Sequence, residues 1–225
     1  MKSGAKIATF ALLLVALTAP GGAETQPPLY YLQPGQLDLT MLLPPPPPNP
    51  SALESADEEQ VEKAVADRTP AQLAAAEAAS MRTVFFFAPS LGAPFTKGKL
   101  PLTARFFSHM RSDVEEIIDR AKLYWARARP SGAKKMRGSY PSGHAAFAAS
   151  TAIVLSQLIP SKRESIFEQA RTFAQNRLIL GVHYPTDIAA GWTAGTVAAY
   201  AMMRDAAFQH DFAAAKAELS EAKLL

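Results

Sequence analysis

A chain of 225 residues, 48% of them apolar, is long enough for one domain with a sizeable core and too polar for a polytopic membrane protein. It has no cysteine, which excludes disulfides and thiolate metal sites. The formal charge of +3 rests partly on Lys2 and Lys6; without residues 1–23 the balance is 21 basic to 20 acidic residues, and with no long basic run this argues against a nucleic-acid polymer as partner.

Lys2 and Lys6 precede a short apolar run over 7–19 and the small residues Gly21, Gly22 and Ala23. That order predicts a secretory signal peptide over 1–23, too short in its apolar part to span a bilayer. Residues 24–50 are proline-rich, ending in Pro44 to Pro48 and Pro50. They read as an extended arm with no core of its own, lying over the domain or a neighbouring subunit, or as a flexible leader.

The domain proper, 51–225, is predicted to be helical throughout. Residues 51–67 form a charged helix. Thr69-Pro70-Ala71-Gln72 places a cap, a first-turn proline and a third-position glutamine in order, a helix start. Residues 83–101, with Phe85-Phe86-Phe87, read as an irregular buried connection, with room for a short helix. Ser112-Asp113-Val114-Glu115 reads as a second capping box, opening a helix to about Ala128 with Val114, Ile117, Ile118, Ala121, Trp125 and Ala128 as its core stripe. Pro130-Ser131-Gly132 ends it. Further helices are expected over 143–158, 162–180 with Gly181 as the break, 185–205, and in the alanine-rich tail 206–225. The runs 145–159 and 188–203 are strongly apolar but shorter than the ~20 residues a span needs. They suit central helices buried nearly all round, and no stable membrane insertion is expected. No period-two pattern persists, so the fold class is all-α: a single-domain helical bundle with its site between central helices.

Three segments carry chemistry. Lys122 and Arg129, seven residues apart, fall on one helix face and offer two cations to an oxyanion, a pattern that solvated surfaces also show. Pro141-Ser142-Gly143-His144 stands at a helix start, where free amides favour an anion. Gly143 allows close approach of ligand to backbone, Ser142 can cap the helix or donate to a phosphate oxygen, and His144 projects from the first turn. In the third segment Pro185 fits the first helical position, so Asp187 falls in the first turn, four residues after His183. A carboxylate there can cap its own helix. It can also accept from His183, fixing the tautomer and leaving the other ring nitrogen free to attack. Arg177 adds a planar bidentate donor.

In order and spacing these residues resemble the type 2 phosphatidic acid phosphatase superfamily, which shares its site with vanadium haloperoxidases: Lys122, six residues, Arg129-Pro130; Pro141 to His144; Arg177, His183 and Asp187. The string Gly138 to His144, and Leu32-Gln-Pro-Gly-Gln-Leu-Asp-Leu with prolines after it, look like the bacterial class A non-specific acid phosphatases. Asn176 stands where the superfamily usually has serine and Ala145 where class A enzymes usually have threonine, departures that bear on substrate preference.

The resemblance implies a periplasmic acid phosphatase of broad specificity, acting on small-molecule phosphate monoesters without metal or cofactor, as a homo-oligomer, dimer or larger. Lys122, Arg129, Ser142, Gly143 and Arg177 would hold the phosphoryl oxygens. His183 would be the nucleophile, oriented by Asp187, and His144 the acid and then the base. The same residues would serve a haloperoxidase holding vanadate, a phosphatase acting on lipid phosphates at a membrane surface, or a phosphate-capturing protein without turnover.

Overall fold

The structure, a computed structural model, describes residues 29–130 and 137–225. The expected signal peptide, the first residues of the arm and the Ser131-Gly132 stop lie outside the described residues. Among those described the architecture is all-α, with no strand. The helices are α1 (Leu39–Leu42), α2 (Ala52–Asp67), α3 (Pro70–Ala78), α4 (Ala88–Leu91), α5 (Pro101–Trp125), α6 (Gly143–Leu158), α7 (Arg163–Ile179), α8 (Pro185–Met202) and α9 (Ala206–Glu221). No helix among the described residues is long and apolar enough to cross a membrane.

α6 is the centre of the bundle. Of its residues only His144 and Gln157 are not buried, because α5, α7 and α8 surround it. The contact with α8 is backbone to backbone. A Cβ on Gly195 would lie 2.8 Å from the Ala146 Cα, and one on Gly191 would lie 3.0 Å from the Ala145 Cβ. Glycine at these two places therefore lets the helices touch. The approach joins their first turns, where Ser142 N donates to the Asp187 carbonyl at 2.9 Å. The two motif segments are thus held together by the core.

Local capping chemistry produced most of the expected boundaries. Thr69 and Gln72 form a reciprocal capping box on α3, and Ser142 caps α6. Three expectations need correction. Ser112 does not start a helix: it lies within α5, and its hydroxyl donates back to the Ser108 carbonyl at 3.1 Å. The fully buried Asp113 carboxylate instead accepts from the amides of Tyr30, Tyr31 and Leu32 at 2.8, 2.7 and 2.9 Å. The true start is Pro101, and its cap comes from far along the chain: Glu218 of α9 accepts from Leu102 N at 2.9 Å and from Thr103 N and Oγ1 at 2.7 Å. α5 also ends at Trp125 rather than near Ala128, with Ala126 in the left-handed region at φ 46°. Lys122 and Arg129 therefore do not share a helix face; a sharp turn separates them. Finally, α8 stops at Met202, and Asp205 caps α9 as a separate helix.

The described part of the arm contributes to the common core. Tyr31, Leu32, Leu39 and Leu43 are buried, and Tyr140 Oη donates to the Pro44 carbonyl at 2.6 Å.

Candidate active site

The end of α5, the loop after it, the first turn of α6, the end of α7 and the loop before α8 converge on a cavity of about 400 Å³. Lys122, Arg129, Gly143, His144, Arg177 and His183, all picked out by the sequence motifs, line it. Ser142 and Asp187 stand just behind that wall, both fully buried.

The three cations of the sequence motifs are each fixed by backbone carbonyls. Lys122 Nζ donates to the carbonyls of Gly138 and Ser139 at 2.9 and 3.1 Å. Arg129 donates to the Val182 carbonyl at 2.7 Å and the Gly138 carbonyl at 3.1 Å, so the turn at Ala126 returns it to the same loop that holds Lys122. Arg177 donates to the Ala76 carbonyl at 3.1 Å, while its buried Nε has no hydrogen-bond partner among the described residues. Burial, then the neighbouring Arg82 charge, pushes the Arg177 guanidinium down to about 10. A buried donor without an acceptor and three cations around one cavity fit an oxyanion with several charged oxygens. At the start of α6 the first amides have no carbonyl of their own helix to bond. Ser142 Oγ accepts from Ala145 N at 3.4 Å, which leaves the hydroxyl proton to donate elsewhere.

The two histidines differ in their second partner. His183 Nδ1 lies 3.1 Å from Asp187 Oδ2, and its Nε2 lies 3.3 Å from Arg129 Nη1. With Asp187 accepting from Nδ1–H, Nε2 carries the lone pair. Burial holds His183 down to about 3, with Lys122 and Arg129 acting in the same direction and Asp187 opposing. His144 Nε2 faces a carbonyl, that of Ser80, at 3.0 Å, which leaves Nδ1 as its exchangeable position; the ring stacks on Phe173 with centroids 5.6 Å apart. Burial, then Arg177, Arg82 and His183, push His144 down to about 2. For Asp187, burial alone would raise its carboxyl, but His183, Arg127 and the Tyr184 amide together hold it below the usual range.

Two arginines matter here that sequence reasoning missed. Arg82 lines the cavity beside Gly143 and pairs with Glu115 at 2.7 Å. Nothing local marks it, since its partner is 33 residues away. Arg127 lies inside the Lys122–Arg129 spacing, and its position there was the available signal. It is buried, with its guanidinium 4.0 Å from the Tyr184 ring centroid. It donates to Asp187 Oδ1 at 2.7 Å, Thr186 Oγ1 at 2.8 Å, Asp57 Oδ2 at 2.8 Å and Glu54 Oε2 at 2.5 Å. It thereby anchors the carboxylate behind His183 to α2. Asp57 completes the anchor by accepting from the Thr186 amide at 3.2 Å and from the Thr186 hydroxyl. Asp119 and Arg137, also at the cavity, pair with each other.

The sequence pattern of the PAP2 superfamily matches residues 112–211, the stretch that holds every motif residue. The chain is 28% identical to a non-specific acid phosphatase of Providencia stuartii over 92% of both chains. It is also 28% identical to a non-specific acid phosphatase of Salmonella typhi, over 94% of this chain and 91% of that one. A crystal structure of a transmembrane PAP2-type phosphatidylglycerolphosphate phosphatase from Bacillus subtilis shares the fold, with a TM-score of 0.53 and 20% identity over 69% of this chain and 87% of that one. The PAP2 pattern thus covers the segments that build the site, and the similarity to the acid phosphatases extends over most of the chain.

Proposed function

We propose that this chain, an acid phosphatase by family and relatives, is exported to the periplasm and hydrolyses phosphate monoesters through a covalent phosphohistidine, without a metal and with broad specificity. The observation that carries the reading is the pairing at His183: a carboxylate on Nδ1, and Nε2 beside Arg129 at the wall of a cationic cavity.

In this mechanism Lys122, Arg129, Arg177, the Ser142 hydroxyl and the Gly143 amide hold the phosphoryl oxygens and stabilise charge in transfer. His183 Nε2 attacks phosphorus as the ester P–O bond breaks, and the P–N bond forms. His144 gives its proton to the departing oxygen, releasing an alcohol. It then takes a proton from water, which attacks phosphorus, breaks the P–N bond and frees phosphate. Asp187 stays ionised and keeps the His183 ring in place. A wall of side-chain cations repels a divalent ion and supplies the charge that one would bring. Export rests on the N-terminal pattern of basic, apolar and small residues.

The test is His183→Ala assayed on p-nitrophenyl phosphate. Loss of the nucleophile lowers kcat by ~10⁴-fold or more. Radiolabelled substrate quenched in alkali should leave acid-labile phosphate on the wild-type protein and none on the variant. Turnover by His183→Ala at the wild-type rate would overturn the mechanism.

A further inference from the structure

His183 and His144 mark two sides of the phosphate pocket. His183, with Arg129 Nη1 3.3 Å from its Nε2, lines that pocket alone. His144 also lines a larger cleft of about 730 Å³ that opens beside the pocket, and so does Arg82. Among the described residues no other stands in both walls. Because His144 is the residue proposed to protonate the departing oxygen, Arg82 stands on the side where the ester bond breaks.

The turn after α3, residues 80–82, serves that side twice. The Ser80 carbonyl faces His144 Nε2 at 3.0 Å. Two positions on, Arg82 reaches Gly143: a Cβ on that glycine would lie 3.3 Å from Arg82 Nη1. The missing side chain thus leaves room for the guanidinium beside an amide proposed to hold a phosphoryl oxygen. The other edge of the fork is taken. Glu115 Oε1 accepts from Arg82 Nε at 2.9 Å and pairs with its Nη2 at 2.7 Å. Nη1 has no partner among the described residues. Glu115 therefore orients the guanidinium without occupying its inner edge. Nor does it neutralise it, since the same Oε1 also takes Arg111 Nη1 at 2.9 Å. The charge is felt in the pocket: after burial it is what pushes the Arg177 guanidinium down, and it adds to burial and Arg177 in holding His144 neutral.

We propose that Arg82 is a further catalytic residue: its Nη1–H donates to the phosphoryl oxygen beside the Gly143 amide, on the leaving-group side, and Glu115 is the positioning residue that aims it. The inference rests on the phosphatase reading above and adds a residue to its site. The guanidinium keeps its protons throughout. As the P–N bond forms and the ester P–O bond breaks, His144 gives its proton to the departing oxygen. Arg82 stabilises the charge on the phosphoryl oxygens between the two bonds. A dianion among Arg82, Arg177 and His144 also relieves the repulsion they exert on one another.

The experiment measures kcat and KM for p-nitrophenyl phosphate, and calorimetric binding of inorganic phosphate, in four variants. Arg82→Gln should lower kcat/KM by about 100-fold, the loss of one preorganised donor, and weaken phosphate binding about tenfold. Arg82→Lys keeps the charge and the pair with Glu115 but not the fork, and should still lose about tenfold in kcat/KM. Arg111→Gln is the control for charge alone, since Arg111 shares the same carboxylate but lines only the outer cleft; it should stay within about twofold. Glu115→Gln makes the site more positive while releasing Arg82. A positioning role predicts kcat lower by about tenfold with phosphate binding no weaker, whereas a merely structural role would lower both. Wild-type kcat/KM in Arg82→Lys or Arg82→Gln, or an equal loss in Arg111→Gln and Arg82→Gln, overturns the assignment. A wild type that turns over no phosphate ester sinks the phosphatase reading and the catalytic role with it. Phosphate binding untouched by Arg82→Gln sinks the Arg82 contact alone.

Discussion

Arg127 is where stability and chemistry meet, and Arg127→Met isolates what it does. Methionine keeps much of the volume and removes the charge and all four donated hydrogen bonds. Glu54, Asp57 and Asp187 are then left close together in a buried site, each 8% exposed or less at the side chain. Breaking a buried ion pair by deleting one partner costs about 3–5 kcal/mol, because the remaining charge is uncompensated. With three carboxylates on one guanidinium, the upper part of that range applies. For a domain of this size such a loss lowers Tm by about 6–20 °C. Urea unfolding gives the free energy directly. Glu54→Gln in the Arg127→Met background should recover part of the loss, since it removes one orphaned charge. Activity should fall as well: Asp187 loses its Oδ1 donor and the start of α8 its tie to α2, and a shift of about 1 Å in the nucleophile costs ~10²-fold in kcat. A loss below about 1 kcal/mol with unchanged kcat would refute the reasoning, because it would mean that the cluster neither bears on stability nor positions Asp187.

Two further outcomes follow from the same geometry. His144 and His183 are held neutral in the free protein by burial and by surrounding cations, so a bound dianion must raise their affinity for protons. Sulfate keeps its charge across the range from about pH 4 to 8, so its binding should take up protons and tighten as pH falls through the raised pKa of the bound state. Calorimetry in buffers of different ionisation heat measures the uptake. It should shrink in His144→Ala, and no proton exchange at any pH would refute the assignment. Gly195→Ala would place a Cβ 2.8 Å from the Ala146 Cα and force α6 and α8 apart. Overpacking of this kind costs about 1–3 kcal/mol. Urea unfolding checks it, and a change under about 0.5 kcal/mol would show that the helices can separate without cost.

The parts of this structure legible in the sequence are those decided by neighbours in the chain. Thr69 with Gln72, Ser142 at α6 and Pro185 at α8 set their helix starts through atoms three or four residues away. So does His183 with Asp187, four apart. The misread start at Ser112 shows the limit. A serine and a glutamate at capping spacing carry no cap when the helix already exists, and the α5 amides are satisfied by Glu218, at a separation of 116 residues. Arg82 and Arg127 escaped notice for the same reason, since their carboxylates lie 33 residues away in one case and 60 to 73 in the other. Lys122 and Arg129 were found by spacing, though not for the reason given. The left-handed Ala126, not helical phase, returns Arg129 to the loop that holds Lys122.

The second partners of the two histidines divide the proposed labour. His183 is buried and His144 half-buried, both beside cations, and both are strongly disfavoured as imidazolium in the free protein. His183 has a full carboxylate on Nδ1, itself held by Arg127, Ser139 and the Tyr184 amide. As Nε2 bonds to phosphorus, positive charge develops on that ring, and the carboxylate stabilises it in place. His144 has only a carbonyl dipole, from Ser80. A dipole orients the ring but holds a proton far less firmly than a charge does. His144 is therefore protonated only while a phosphate lies between it and the arginines, and it loses that proton readily to a leaving oxygen. An Asp187→Asn variant should accordingly lower kcat with little change in KM, since the charge matters when phosphorus is attacked and not when substrate binds. Equal losses in kcat and in affinity for phosphate would instead place Asp187 in binding.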